Sequence, residues 1–250
     1  MSRIMNKTLI AAAGVACLAG GVSAGMVLPE GFSVTLQNGA GQDWTLPAED
    51  IQEMATDGGT VIVSGMSNPY DGAATIEWSF ELTGLSQSIA RGPLPPVASV
   101  ASNIAITNNT GTTQSYIFTV TQGFTVAGPL SATGSISGSV GDSDFSGSGT
   151  ISDTAGAPGY EALLDGTTFE TLLDAPFSTT ATGGLTAPFG PDSFLNTPTG
   201  GITASIGIRN NFDLTAGDQA TANSTLFFVP TPGSVAMLGI AGLAATRRRR

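Results

Sequence analysis

From Ile76 to Thr83 the chain alternates without a break: Ile76, Trp78, Phe80 and Leu82 at one parity, Glu77, Ser79, Glu81 and Thr83 at the other. Successive side chains of a strand point to opposite faces, so this is a strand with one dry and one wet side. Trp78 falls among the core residues. Glu77 and Glu81 share the wet face at about 13 Å, four residues of strand rise, and so match neither carboxylate spacing used in glycoside hydrolysis.

The same period recurs along the chain. Phe32–Leu36 and Thr60–Ser64 read as short strands. Val97–Thr107 and Gln114–Val126, the latter with Tyr116, Phe118 and Val120 in phase, read as a hairpin turning at Asn108–Gly111. Leu130–Ile151 reads as a second hairpin turning at Gly141–Asp144. Its Gly/Ser content buries little side chain and leaves the register open to slip. Tyr160–Asp165 and Thr168–Leu173 suit two short strands, or a strand and a helical turn. Gly201–Leu214 places Ile202, Ala204, Ile206, Ile208, Phe212 and Leu214 on one face. Gln219–Val229 closes the series, with Leu226–Val229 expected to be buried on both sides. Two stretches break the pattern. Pro47–Met54 predicts a helix, since Pro suits a first turn and Glu49 and Asp50 favour its N-terminal end. The stretch 175–200, rich in Pro, Gly and Thr, predicts a long surface loop. About ten strands separated by turn signals, with 34 Gly and 14 Pro in 250 residues, predict an all-β chain: an antiparallel β-sandwich of jelly-roll or Greek-key type over residues 25–229.

The two ends differ in kind from this body. Arg3 and Lys7 precede an apolar run, Leu9–Gly21, and small residues at Val22–Ala24. Residues 1–24 therefore read as a secretory signal helix cut between Ala24 and Gly25; the alternative is an uncleaved N-terminal anchor. At the other end, residues 230–250 begin with Pro230-Thr231-Pro232-Gly233. An uncharged stretch from Val235 to Ala245 follows, and Arg247, Arg248, Arg249 and Arg250 close the chain. As a helix those eleven apolar residues would be about 16 Å long, short against a hydrocarbon core of about 30 Å. The arginines would stay on the cytoplasmic face. The alternative is an ordinary hydrophobic strand with a basic end.

This three-part tail resembles the PEP-CTERM sorting signal of bacterial exported proteins, also called the ice-binding-protein C-terminal domain. Pro230, Pro232 and Gly233 match its motif, Val235–Ala245 its short helix and Arg247–Arg250 its basic cluster; Thr231 stands where the family has Glu. The resemblance implies an exosortase-like sorting enzyme as partner, contact with the bacterial membrane through the C-terminal helix, and an exopolysaccharide or biofilm matrix as the setting.

Charge and residue usage limit the chemistry. All nineteen acids lie between Glu30 and Asp218, against two bases there, Arg91 and Arg209, for a net charge of −17 on the body. Such a surface repels nucleic acid and anionic lipid and favours divalent cations or a cationic partner. The chain has no His, and its one Cys, Cys17, lies in the signal. Triads built on Ser-His or Cys-His are therefore ruled out, and no disulfide staples the body. Asp142, Asp144, Ser146 and Asp153, with Gly147, partly match a calcium loop, although an acidic hairpin turn would look the same. No other cofactor is suggested. Trp44, among polar residues, is the candidate ligand-stacking aromatic. Three functions follow from these residues: a non-catalytic exported surface or matrix protein, a secreted carbohydrate-binding module with or without calcium, and a glycoside hydrolase.

Overall fold

The computed structural model describes residues 31–57, 60–83, 98–145 and 147–231. The signal segment with Ala24 and Gly25, Ser146, and the tail from Pro232 through Gly233 to Arg247–Arg250 lie outside the described residues.

The chain is all-β. Fifteen strands are described: β1 Ser33–Asn38, β2 Asp43–Thr45, β3 Ile51–Asp57, β4 Thr60–Ser67, β5 Ala74–Thr83, β6 Ala98–Asn108, β7 Gln114–Gly123, β8 Leu130–Gly141, β9 Ser148–Ser152, β10 Tyr160–Leu164, β11 Thr167–Leu172, β12 Ser178–Thr182, β13 Thr186–Thr199, β14 Ser205–Leu214 and β15 Gln219–Pro230. They form two antiparallel sheets. One runs β11-β10-β14-β7-β1-β2, with β9 bridging from β14 to β12. The other runs β13-β8-β15-β6-β5-β4-β3.

The sheets face each other across one core. β5 alternates as its sequence predicts, with Ile76, Trp78, Phe80 and Leu82 buried and Glu77 and Glu81 exposed. The Phe80 ring meets Phe118 of the opposite sheet at 5.8 Å, and Phe169 meets Phe228 at 5.9 Å. Polar side chains also cross the gap. The Tyr160 hydroxyl donates to the Thr225 carbonyl at 2.9 Å, and the Ser224 hydroxyl donates to Asn210 Oδ1 at 3.0 Å. Burial raises the Tyr160 phenol pKa, so this hydroxyl remains a donor.

Several expectations change. The helix predicted at Pro47–Met54 is one 3-10 turn, Ala48–Asp50, leading into edge strand β3. Ala48, Ile51 and Met54 make too thin an apolar stripe for a helix, whereas pairing with β4 gives β3 hydrogen-bond partners along one side. The predicted loop 175–200 contains two strands. Pro188, Pro191 and Pro198 sit in β13, which among the described residues pairs only β8 and so lies at a sheet edge, where proline is tolerated. Neither long hairpin forms. β6 and β7 belong to different sheets, as do β8 and β9, so both turns are crossings between layers. The strand expected from Gly201 begins at Ser205; Ile202 pairs with Val126 in an isolated bridge. In β15, Leu226 and Phe228 are buried, while Phe227 and Val229 are half-buried. The segment 160–173 resolves into a hairpin, β10–β11, around Asp165 and Gly166, both at positive φ as a tight two-residue turn requires.

The Gly/Ser strand β8 does not lie beside empty space. A Cβ on Gly134 would sit 2.4 Å from the Phe194 ring, and one on Gly138 2.3 Å from the Phe189 ring. The aromatic rings of β13 fill what the glycines leave open and fix the register of the pair.

Candidate functional site

Four sheet-to-sheet connections converge at one end of the sandwich: β6 to β7, β8 to β9, β12 to β13 and β14 to β15. Asn108, fully buried at the end of β6, ties two of them together. Its Nδ2 donates to the carbonyls of Thr112, Leu214 and Thr215 at 2.8, 3.0 and 3.0 Å. Its Oδ1 accepts from the Thr110 backbone N–H and hydroxyl. Its own N–H donates to the Asp218 carbonyl, and its carbonyl accepts from Gly217 N–H.

The acids gather around this junction. Asp142 and Asp144 follow β8, and Asp218 sits in the turn between β14 and β15. Each places a carboxylate oxygen within 4.8 Å of the other two. Asp142 and Asp218 are buried, at 3% and 1% exposure, while Asp144 is exposed. Asp218 is fully engaged: Oδ1 accepts from Ser143 N–H at 3.1 Å and Oδ2 from the Thr215 hydroxyl at 2.5 Å. Asp142 is half engaged. Its Oδ2 accepts from Gly184 N–H at 3.0 Å, whereas its Oδ1 is buried with no hydrogen-bond partner. The approach of Asp144 depends on Gly217, where φ is +73° and a Cβ would lie 2.6 Å from Asp144 Oδ2.

This grouping joins only part of the calcium-loop residues read from the sequence. Asp142 and Asp144 come together, but Asp153 lies apart from them at the end of β9. Its carboxylate accepts from the N–H groups of Phe177 and Gly156 at 3.0 and 3.1 Å, holding a turn. Asp218, 74 residues beyond Asp144 in the chain, takes its place. A linear spacing rule cannot find such a residue; the only sequence signal was the Ala216-Gly217-Asp218 turn between two apolar strands.

Trp44 lies half-buried on the short edge strand β2, packed against the core beside Leu36 rather than standing clear as a platform. A shallow depression on the outer face of the same sheet holds Glu161, Arg209 and Asn211. Arg209 bridges Glu161 at 3.2 Å, and Asn211 Nδ2 donates to it at 2.7 Å, so this carboxylate already has its partners. Glu77 and Glu81 both project from the outer face of the other sheet. Pro230 ends β15, and the Thr231 N–H donates to the Pro129 carbonyl at 3.3 Å. Among the described residues no helix is long and apolar enough to cross a membrane.

The chain matches no protein-family model and no curated protein sequence.

Proposed function

We propose that this chain is an exported, non-catalytic β-sandwich of the bacterial cell surface or extracellular matrix, sorted through its C-terminal segment. The observation that carries this reading is the order of parts at the C-terminus. The last core strand runs to Pro230, and the three-part sorting-type segment follows at once. The uncharged apolar run Val235–Ala245 follows in the sequence, and this reading assigns it to a membrane. The N-terminal charged and apolar segment supplies the matching export signal, with cleavage after Ala24.

In this reading residues 1–24 and 235–245 are helical when membrane-bound, and the sheets form a jelly-roll or Greek-key sandwich. An exosortase-like enzyme engages Pro230–Gly233, and Arg247–Arg250 hold the cytoplasmic side. The absence of His and of any Cys beyond the signal supports a non-catalytic role, as does the commitment of Glu161 to Arg209 and Asn211. A carbohydrate-binding module is the second reading, and half-buried Trp44 is the residue it rests on.

Cell fractionation with mass spectrometry of both termini tests the proposal. The expected species begins at Gly25 and is found in the envelope or the medium, either cut within the tail or held by it. A soluble cytoplasmic species with Met1 and Arg247–Arg250 intact would overturn it. Loss of glycan binding in Trp44→Ala, with unchanged fractionation, would move the role to the second reading.

A further inference from the structure

We propose that Asp142, Asp144 and Asp218 form a calcium site that locks together three crossings between the two sheets. Two independent observations meet here. Three carboxylates from separate parts of the chain converge within 4.8 Å. Among them, Asp142 Oδ1 is buried and lacks any hydrogen-bond donor. A buried carboxylate oxygen without a donor is costly to desolvate, and native proteins resolve such a group with a partner. Neighbouring carboxylates, while ionised, cannot serve as that partner, because like charges at this range repel. Among the described residues no basic side chain serves either: Arg209 is the one Lys or Arg there, and it is bridged to Glu161.

A cation meets the need, and the donor set selects its class. The three converging ligands are all oxygen, and no His or Cys is among the described residues, which suits a hard divalent ion rather than zinc or copper. Calcium accepts irregular coordination by carboxylates and water, whereas magnesium demands a near-ideal octahedron. Exposed Asp144 provides the entrance, and buried Asp142 and Asp218 provide the floor. The fold gives the ion a purpose. Asp142 and Asp144 lie on the β8–β9 crossing and Asp218 on β14–β15. Asp142 also holds the β12–β13 turn through Gly184 N–H. An ion here ties all three, and this holds whether or not the tail sorts the chain.

The test uses the full chain in mild detergent, stripped with a chelator and titrated with calcium chloride. Thermal unfolding and calorimetry are the readouts. The wild-type melting temperature should rise by several degrees with calcium, because a ligand that binds only the folded state stabilises it. Asp144→Asn should lose about tenfold or more in calcium affinity while melting in chelator no lower than wild type. Asp142→Asn should abolish the calcium response and melt higher than wild type in chelator. Its amide can still accept from Gly184 and now donates toward the two remaining carboxylates. No calcium-induced shift in the wild type, an undiminished shift in Asp144→Asn, or an equal response to magnesium at the same concentration would each overturn the assignment.

Discussion

Asp165 shows how one carboxylate can serve as a structural clamp. Its two oxygens accept from the N–H groups of Thr203, Ala204 and Ser205 and from the Thr203 hydroxyl, joining the β10–β11 turn to the start of β14. Partial burial works against the charge. The hydrogen bonds from the Thr203 hydroxyl and from the Ser205, Ala204 and Thr203 N–H groups outweigh it, and the carboxyl is held below its ordinary pKa of 3.8. A carboxyl depressed in the folded state stabilises above its unfolded pKa, and that contribution is lost as pH falls through the folded value. Asp165→Asn should therefore be less stable than wild type at neutral pH. The gap should close below about pH 4, as denaturant unfolding across pH 7 to 2 would show. Asn108 is the harsher case, because its buried amide serves three carbonyls, one of them on buried Leu214. Asn108→Ala should cost about 2–4 kcal/mol in the same assay, more than one hydrogen bond is worth, since the stranded carbonyls dominate.

At the scale of strands, the pairing of β8 with β13 makes the sharpest prediction. Gly134→Ala meets side chains only, the Phe194 ring and the Tyr160 hydroxyl, whereas Gly138→Ala meets the Thr221 carbonyl at 2.0 Å as well as the Phe189 ring. Each should destabilise by about 1–3 kcal/mol or more through overpacking. Phe194→Leu should soften the first substitution, giving a favourable coupling of about 0.5 kcal/mol or more in a double-mutant cycle. Phe189→Leu should leave the second nearly as costly, because backbone cannot step aside. The same pair shows where the sequence was readable. β5 could be found from its period alone, because one face is dry and the other wet along its whole length. β13 could not. Its burial alternates only loosely, bulges after Phe189 and Phe194 break the phase, and its prolines resemble those of a loop unless the strand is known to lie on an edge. The Asn108–Gly111 and Gly141–Asp144 turns were legible as turns, but nothing local says whether a turn returns to its own sheet or crosses to the other. Asp218 stayed hidden for the same reason, since its closeness to Asp142 exists only once β8 and β15 are paired.

For the whole molecule, the net charge of −17 on the body sets the terms on which any cation acts. A folded chain holds its carboxylates closer together than an unfolded one, so self-repulsion lowers stability, most of all when salt is dilute. Screening reaches about 30 Å at 0.01 M and about 8 Å at 0.15 M ionic strength. Sodium chloride alone should therefore raise the melting temperature by a few degrees over that range and then level off. Calcium bound at Asp142, Asp144 and Asp218 would behave differently. Its effect should saturate with concentration, persist in 0.15 M sodium chloride where screening is nearly complete, and shrink in Asp144→Asn. Diffuse attraction to an acidic surface predicts the reverse, with calcium and sodium coinciding once matched for ionic strength and Asp144→Asn indistinguishable from wild type. A melting series in both salts, wild type beside variant, separates the two. Coincident curves would leave the sandwich acidic for solubility alone, whereas a calcium increment that outlasts the salt would make the acidity the frame of a built site.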